Sequence, residues 1–433
     1  MYKKSFYNVE IAKTDNCTLI YNTNSGVFSE LDTSSLSLLN NIDSLGSISS
    51  ENIETLELMK KAGFIVGDDI DEKGQTLVKR RLSQNNKDVL ELIIAPTMNC
   101  NMACPYCFEI HSDEIMNDTT QKELVSFTER YLKQNKCGRL EITWYGGEPL
   151  LELEIIYNLS DELIKICDEN KIHYGAKIIT NGALLSADVA KKLKEKRISA
   201  AQITIDGPKE IHDNRRMLIK GKESFDLLIN NIDSVKDIIH ISVRINVDTE
   251  NEKYILDLAK YFLEVKGWLN NPSFYLAPVD NASEKATTED KYMVNIERFA
   301  SLDTEITKMK FHLDRNLVKK NLYPFKRNTY CGAERTGQYV IAPDGLMYPC
   351  WNKINVKDHN IGSVFTGPIF NYELTNWLSL ELSDDCKNCA FLPCCQGGCP
   401  YFRLKNKDNY ACFHGLYSYK DKLILAHQDF DAE

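Results

Sequence analysis

The chain has 433 residues, which corresponds to roughly two to four domains of ordinary size. Hydrophobic residues make up 43% and charged residues 26% of the chain, so wholesale disorder is excluded. No apolar run reaches the ~18 residues of a membrane-spanning helix, no apolar signal core follows Met1, and the formal net charge of −10 argues against general nucleic-acid or anionic-membrane binding.

Residues 1–85 are predicted to form a small module of their own. A hairpin is expected over residues 18–28, a helix that Asp32 or Thr33 could cap, and a second helix over about 50–63 that leads into a strand. This order of hairpin, two helices and strand is typical of a winged helix. The charged residues 67–88 are interpreted as a connector.

Residues 89–280 alternate between short apolar strands and helical periods. Six strands with intervening helices predict a parallel α/β sheet, either open or barrel-like. In such barrels the chemistry lies at the carboxyl ends of the strands. Strands are expected at Leu90–Ala95, Leu140–Tyr145, Lys177–Thr180, Ala201–Asp206, Ile239–Val247 and Phe274–Ala277, and helices near 118–134, 151–169, 186–196, 223–236 and 251–266.

The last part of the chain has a different character. Residues 281–330 are polar and mixed and are interpreted as a helical bridge, whereas residues 331–433 are rich in cysteine and show little periodicity. The lack of an export signal predicts a reducing compartment, the cytoplasm. The clustered members of the 14 cysteines are therefore expected to be metal ligands or catalytic groups rather than disulfides.

Cys100, Cys104 and Cys107 follow the first predicted barrel strand. Three closely spaced thiolates can hold three irons of a 4Fe–4S cubane and leave the fourth iron open to a chelating cofactor. A zinc site is the alternative, but zinc prefers a fourth ligand and these spacings are unusual for it.

The C-x3-C-x2-C pattern after the first strand of an α/β barrel resembles the radical S-adenosylmethionine (SAM) superfamily. Three further stretches carry the resemblance: Trp144–Pro149 with its Gly-Gly-Glu, Thr180–Gly182, and the Asp-Gly-Pro and His-Asp pieces of Gln202–Arg216. Each stretch alone has an ordinary interpretation as a turn or a surface charge. Their order at successive strand ends favours the resemblance.

The resemblance implies a partial (β/α)6 radical SAM barrel in residues 89–280, with one 4Fe–4S cluster on the cysteines of the 100–107 loop. It also implies that Tyr106 lines the adenine of SAM and that Thr204 and Arg216 bind its carboxylate and ribose region. Glu109, next to the cluster, is left open as a neighbour of the site or a surface residue, and no residue is assigned as catalytic. The implied SAM-binding residues are Tyr106, Gly146, Gly147, Glu148, Thr180, Asn181, Thr204, Asp206 and Arg216.

The C-terminal cysteines resemble the SPASM extension of radical SAM enzymes that modify peptides, a domain with two auxiliary 4Fe–4S clusters. The match covers residues 331–412, and a zinc knuckle is the alternative for its Cys-x2-Cys pair. With the SAM-binding cluster, the resemblance implies three 4Fe–4S clusters in the chain. It assigns one auxiliary cluster to Cys386, Cys389, Cys395 and Cys412, and the other to Cys331, Cys350 and Cys399.

The set of Cys331, Cys350 and Cys399 lacks a fourth cysteine. Fully ligated members of the family carry one shortly after the first cysteine, at a position where this chain has Gly337. We therefore expect an open iron there, which a cysteine installed at residue 337 should fill. Cys394 is the competing ligand candidate.

The implied chemistry is peptide maturation. A 5′-deoxyadenosyl radical from SAM would abstract a hydrogen from a substrate carbon, and an auxiliary cluster with an open iron suits a substrate cysteine that forms a thioether to that carbon. The 1–85 module resembles the leader-recognition element of maturases of ribosomally made peptides, which binds a leader as an added strand; a stabilising appendage is the alternative. The expected partners are a precursor peptide with a leader segment and an external electron donor such as flavodoxin or ferredoxin.

Other functions remain open on the same scaffold. Carbon–carbon crosslinking or another oxidative peptide modification is the enzymatic alternative, and an iron–sulfur electron-transfer protein is the alternative without catalysis. In sulfatase maturases of the superfamily an Asp follows the cysteine of the Pro-Cys motif and acts as the base. Here Trp351 follows Cys350, which disfavours sulfatase maturation.

Overall fold

The computed structural model describes residues 1–44, 50–279, 293–405, 412 and 415–428. The chain divides into two compact units. The first unit comprises residues 1–85, 307–331 and 380–433, and the second comprises residues 86–306 and 332–379. The first twelve residues of the predicted 281–330 bridge lie outside the described ranges, and two helices follow in the rest of it.

The strands form four sheets in the described part of the chain. The largest sheet has the order β11-β10-β9-β8-β7-β6-β12-β13, and β2, β3 and β4 form a separate antiparallel sheet. The strands are β1 (Tyr2–Lys4), β2 (Asn8–Lys13), β3 (Cys17–Asn22), β4 (Phe28–Asp32), β5 (Ile65–Gly67), β6 (Val89–Ile94), β7 (Arg139–Trp144), β8 (His173–Ile179), β9 (Ile198–Thr204), β10 (His240–Val247), β11 (Ser273–Pro278), β12 (Gln338–Ile341), β13 (Met347–Tyr348), β14 (Gly362–Ser363) and β15 (Gly367–Pro368).

Several of the helices begin at side-chain caps. Asn117 and Ser186, for example, accept hydrogen bonds from backbone N–H groups of the first turns that follow them. The helices are α1 (Thr33–Asn41), α2 (Ile53–Ala62), α3 (Glu72–Gln84), α4 (Asp118–Asn135), α5 (Leu153–Asn170), α6 (Ala187–Glu195), α7 (Lys209–Arg215), α8 (Phe225–Val235), α9 (Ile255–Lys260), α10 (Ile296–Leu313), α11 (Arg315–Leu322), α12 (Tyr372–Leu378), α13 (Asp384–Lys387), α14 (Leu392–Cys395), α15 (Pro400–Lys405) and α16 (Gly415–His427).

The second unit is built on the predicted α/β barrel. Strands β6 to β11 pair in parallel in chain order, with helices between them, which confirms the partial parallel barrel. Five of the six residues of β6 are apolar, and only Glu91 is charged, as is usual for a parallel strand covered on both sides. The loops after β6 to β10 therefore meet at the carboxyl edge of the sheet.

Strand β12 extends this sheet from the cysteine-rich part of the chain, where the sequence showed little periodicity. It pairs in parallel with β6, and the Glu91 N–H donates to the Gly337 carbonyl at 2.8 Å. All four residues of β12 are buried. The segment that leads to Cys350 is thereby fixed against the first strand of the barrel.

The first unit begins with the hairpin predicted over residues 18–28, which β3 and β4 form. The interpretation of residues 67–88 as a connector is wrong, because α3 occupies most of that range. Its buried Glu72 accepts hydrogen bonds from Ser5 Oγ at 2.7 Å and from the Phe6 N–H at 2.8 Å. The charged sequence did not predict this helix, because part of its charged face is buried.

Residues 1–85 share a core with the C-terminal part of the first unit. Ile11, Leu19 and Tyr21 pack with Leu423 of α16, and Tyr21 Oη donates to the Pro324 carbonyl at 2.6 Å. Removal of residues 1–85 would therefore open a core to which the C-terminal segment contributes.

Within the described ranges, none of the helices combines the length and the apolar character needed to cross a membrane.

Candidate functional site

Cys100, Cys104 and Cys107 lie on the loop that follows β6, at the carboxyl edge of the large sheet. Burial raises the pKa of the Cys100 and Cys107 thiols to about 12. Burial also raises the pKa of Cys104, while the nearby Arg216 guanidinium acts in the opposite direction. The three thiols thus form a partly buried set beside a fixed positive charge.

These thiols suit a cluster bound by cysteine thiolates, since iron coordination deprotonates a thiol that burial keeps neutral. Cys107 Sγ lies 3.3 Å from His111 Nε2, and Asn181 Nδ2 lies 3.9 Å from Cys100 Sγ. In the residues that the structure describes, no group of three His, Cys, Asp or Glu side chains is close enough to hold a metal ion. The cluster ligands named above therefore stay predictions.

Gly146 and Gly147 bring the loop after β7 against the cysteine loop. A Cβ on Gly146 would overlap the Thr97 carbonyl oxygen, and a Cβ on Gly147 would overlap the Asn99 carbonyl oxygen. The Glu148 N–H donates to the Asn99 carbonyl at 2.8 Å. The two glycines are required for this close approach, which fixes the backbone immediately before Cys100.

Glu148 ties together three strand ends from a fully buried position. Its Oε1 accepts from Thr180 Oγ1 at 2.7 Å and from the Leu150 N–H at 2.9 Å, and its Oε2 accepts from the Asn181 N–H at 2.7 Å. Asn181 in turn donates to Asn101 Oδ1 at 2.6 Å. Burial raises the pKa of Glu148, while these hydrogen bonds lower it. Glu148, Thr180 and Asn181 therefore position one another and the cysteine loop.

Tyr106, Asp206 and Arg216 also meet in the structure. Tyr106 Oη donates to the Asp206 carboxylate and accepts from Arg216 Nη1 at 2.8 Å. Asp206 is fully buried and also accepts from the Asn246 N–H at 3.0 Å. Thr204, at the end of β9, is buried as well.

The residues present fit SAM as a ligand. Arg216 Nε is buried and makes no hydrogen bond to the described residues, so it remains available to an anionic group such as the carboxylate of SAM. Thr180 and Thr204 place hydroxyl groups at neighbouring strand ends of the same edge. Asp206 accepts hydrogen bonds from Tyr106 and the Asn246 N–H and so holds Tyr106, while its direct contact with SAM stays a prediction.

Sequence reasoning missed Arg215, Asp248 and Asn251. Arg215 makes a two-pronged ion pair with Asp248 after β10, and Asn251 donates to the Asp206 carbonyl at 2.7 Å. The Arg-Arg pair at the end of α7 and the Asp after a strand were the available signals. Neither signal identifies the partner, because 33 residues separate the two charged groups.

A second missed group lies near the cysteine loop. Tyr145 and Glu109 are hydrogen-bonded through their side chains, and the Tyr145 ring stacks on Trp351 with centroids 5.8 Å apart. Burial raises the pKa of Glu109 to about 8, and its Oε2 has no hydrogen-bond partner in the described chain. Glu109 is thus an inward-facing neighbour of the site and not a surface charge. Trp351 remains 38% exposed above this pair.

The auxiliary cysteines are distributed over both units. Cys350 belongs to the second unit, and the other predicted auxiliary ligands belong to the first. Burial raises the pKa of Cys412, and the nearby Cys386 and Cys389 act in the same direction. Cys394 Sγ lies 3.6 Å from the Thr23 carbonyl oxygen. This contact gives the Cys394 thiol a backbone acceptor within the first unit.

The family model described as the radical SAM superfamily matches residues 94–262. Among curated proteins, the chain is 26% identical over 359 residues to a cysteine-type anaerobic sulfatase-maturating enzyme of Clostridium novyi, covering 75% of this chain and 92% of the relative. It is 23% identical over 363 residues to a serine-type enzyme of Bacteroides thetaiotaomicron, covering 74% and 86%.

Two solved structures show the same fold at lower identity. Native anSMEcpe with bound AdoMet and Cp18Cys peptide matches with a TM-score of 0.62 and 22% identity over 79% of this chain and 97% of that one. Streptococcus suis SuiB bound to precursor peptide SuiA matches with a TM-score of 0.52 and 18% identity over 94% and 97%. With the cysteine loop and the buried network at the strand ends, the family match identifies residues 94–262 as a radical SAM domain, whose family cofactors are SAM and a 4Fe–4S cluster.

Proposed function

We propose that this chain is a radical SAM maturase of a ribosomally synthesised, cysteine-containing peptide and that it forms a thioether. The peptide part of the proposal is supported by two similar solved structures. In one, anSMEcpe is bound to a Cp18Cys peptide, and in the other, SuiB is bound to the precursor peptide SuiA. The thioether part rests on the cysteine spacing and on the geometry of residue 337.

The observation that carries the thioether proposal is the conformation of Gly337. Its φ is +90°, and a Cβ at this position would lie 3.0 Å from the Val89 carbonyl oxygen and 3.1 Å from Tyr131 Oη. A side chain here would therefore point at β6 and α4. This geometry argues against the expectation that a cysteine at residue 337 would fill the open iron, and the predicted set of Cys331, Cys350 and Cys399 would then keep one iron position for a substrate sulfur.

The chain's own residues would orient the reactants. Arg216 and the strand-end hydroxyls hold SAM, and Trp351 and Tyr145 provide an aromatic surface near the cysteine loop. When bound, SAM and its cluster supply a 5′-deoxyadenosyl radical that removes a hydrogen atom from a substrate carbon. The new C–S bond would replace a C–H and an S–H bond, so the thiol proton would go to solvent and an auxiliary cluster held by the C-terminal cysteines would be the acceptor of the remaining electron.

Leader recognition is proposed for the sheet of β2, β3 and β4. Strand β4 pairs on one side with β3 and is last in the order of this sheet, so among the described strands none pairs with its other side, which would offer backbone groups to an added strand. Deletion of residues 1–85 is a poor test of this role, because it would disrupt the core shared with α16. Substitutions in β4 are the better test.

The second candidate is oxidation of a cysteine or serine without crosslinking. It is favoured by the anaerobic sulfatase-maturating relatives, which align with about three quarters of this chain. Trp351, in place of the acidic residue expected after Cys350, argues against it. Carbon–carbon crosslinking is the third outcome and leaves the cysteine thiol intact.

Tandem mass spectrometry separates these functions. The substrate is a small cysteine-containing peptide that is encoded beside the gene and co-expressed with the enzyme. A thioether keeps the sulfur, loses hydrogen and resists thiol alkylation. Oxidation of cysteine to an aldehyde removes the sulfur, and a carbon–carbon crosslink leaves a thiol that still alkylates. A product with a free thiol or without its sulfur would contradict the thioether proposal.

A further inference from the structure

We propose that Arg215 and Asp248 are a positioning pair for the SAM site: they fix the Tyr106 ring and keep Arg216 available to SAM. Neither residue was recognised as part of the site from the sequence. The proposal depends on the radical SAM domain and not on which bond the enzyme forms in its peptide.

The pair has the geometry of a planar, two-pronged ion pair. Arg215 Nη2 lies 2.7 Å from Asp248 Oδ2, and Nη1 lies 3.2 Å from Oδ1. The two side chains are 8% and 4% exposed. A buried guanidinium and carboxylate in this arrangement hold each other in one orientation, which two exposed charges rarely do.

Arg215 covers one face of the Tyr106 ring. Its guanidinium carbon lies 5.0 Å from the centroid of the Tyr106 ring. The hydroxyl of Tyr106 is bound to Asp206 and Arg216. Tyr106 is therefore held at its face by one arginine and at its edge by the other. Because it stands between Cys104 and Cys107, its position also sets the shape of the cysteine loop.

Charge balance makes Asp248 necessary. Asp206 and Asp248 are two buried carboxylates that face two buried guanidinium groups, those of Arg215 and Arg216. Arg215 Nε is already 4.0 Å from Asp206 Oδ2. Without Asp248, Arg215 would turn to Asp206, because a buried charge left unpaired is costly. Asp206 would then be shared, and Tyr106 and Arg216 would lose their fixed partner.

The loop after β10 holds Asp248 in place. The Asp248 N–H donates to Asn251 Oδ1 at 2.8 Å, and Asn251 Nδ2 donates to the carbonyls of Asp206 and Asn246 at 2.7 Å each. The ends of β9 and β10 are thus connected through one buried amide. Glu250 lies 3.7 Å from Arg215 Nη1, but its side chain is 60% exposed and replaces Asp248 poorly.

The test is SAM binding to the cluster-loaded protein without peptide. The variants are Asp248→Asn and Arg215→Lys, and the dissociation constant of SAM is measured by equilibrium dialysis. The electron paramagnetic resonance spectrum of the reduced cluster is recorded with and without SAM. We expect iron content to be retained, SAM to bind about tenfold more weakly in Asp248→Asn, and the SAM-induced spectral change to be reduced. Arg215→Lys keeps the charge and should fall between this variant and wild type.

The matched control is the exposed pair of Arg197 and Asp168, which has the same two-pronged geometry at 2.8 and 2.7 Å. Asp168→Asn should bind SAM as the wild type does. Wild-type SAM affinity and spectra in both test variants would overturn the proposal. Loss of SAM binding in proportion to lost iron would also overturn it, since a general structural role explains that result. If Asp248→Asn does not fold, Arg215→Lys alone decides.

Discussion

A cysteine at residue 337 should destabilise the barrel and should not become an iron ligand. The positive φ of Gly337 costs a residue with a Cβ roughly 1–2 kcal/mol. The approach to the Val89 carbonyl and to Tyr131 Oη adds about 1–3 kcal/mol, because both belong to packed elements that must shift. For a unit of this size the sum lowers the apparent melting temperature by roughly 5–15 °C.

The control for this prediction is Gly221→Cys. Gly221 has a φ of +72° and nothing within 4 Å of a Cβ, so this variant carries the backbone cost without the contacts. The melting temperatures of the cluster-loaded proteins are compared, and Mössbauer spectroscopy reports the iron sites. Equal melting temperatures of Gly337→Cys and Gly221→Cys would contradict this prediction, as would a Gly337→Cys spectrum that shows a newly four-thiolate auxiliary cluster.

Three further predictions concern the clusters, the buried carboxylate and the leader. Replacing the three cysteines of the 100–107 loop by Ala should lower the iron content from about twelve to about eight per chain and abolish 5′-deoxyadenosine formation; an unchanged iron content would disprove the ligand assignment. Glu148→Gln should weaken SAM binding by about tenfold or more, since its amide N–H₂ must face either the donors of Thr180 and Leu150 or the backbone N–H of Asn181; dialysis with SAM checks this, and wild-type affinity would contradict it. The backbone N–H groups of adjacent residues in an edge strand point to opposite sides. One of the two variants Ser29→Pro and Glu30→Pro therefore removes an N–H that points outward from β4. That variant should weaken precursor binding while the fold persists, and unchanged affinity in both would remove β4 as the leader site.

The barrel could be predicted from the sequence because the patterns that indicate it are local. Helices such as α4 and α5 show a regular apolar period, and the cysteine loop has a fixed spacing. Strand β12 could not be predicted, since its four residues, one of them the polar Gln338, carry too short a pattern and its partner β6 lies far away in the chain. The helix α3 was missed because burial of Glu72 and Arg80 contradicts their usual preference for solvent.

The same distinction between local patterns and distant contacts applies to the site. The types and spacing of Glu148, Asp206 and Arg216 marked them as site residues, but their roles toward one another depend on distances that no sequence spacing gives. Glu109 is the clearest case, because its partner Tyr145 follows a different strand. Pairings of this kind are set by the order of strands in the sheet.

The pairing of β12 with β6 has a consequence for synthesis of the protein on the ribosome. Strand β6 leaves the ribosome early, whereas its neighbour on one side is complete only when residue 341 has been made. Until then the backbone groups along that side of β6 are open to other chains, which is a recognised route to aggregation. Fragments that end before β12, such as the isolated family-matched region, should therefore aggregate more readily than the full chain. Expression of the barrel alone would then fail for a reason unrelated to its cofactors.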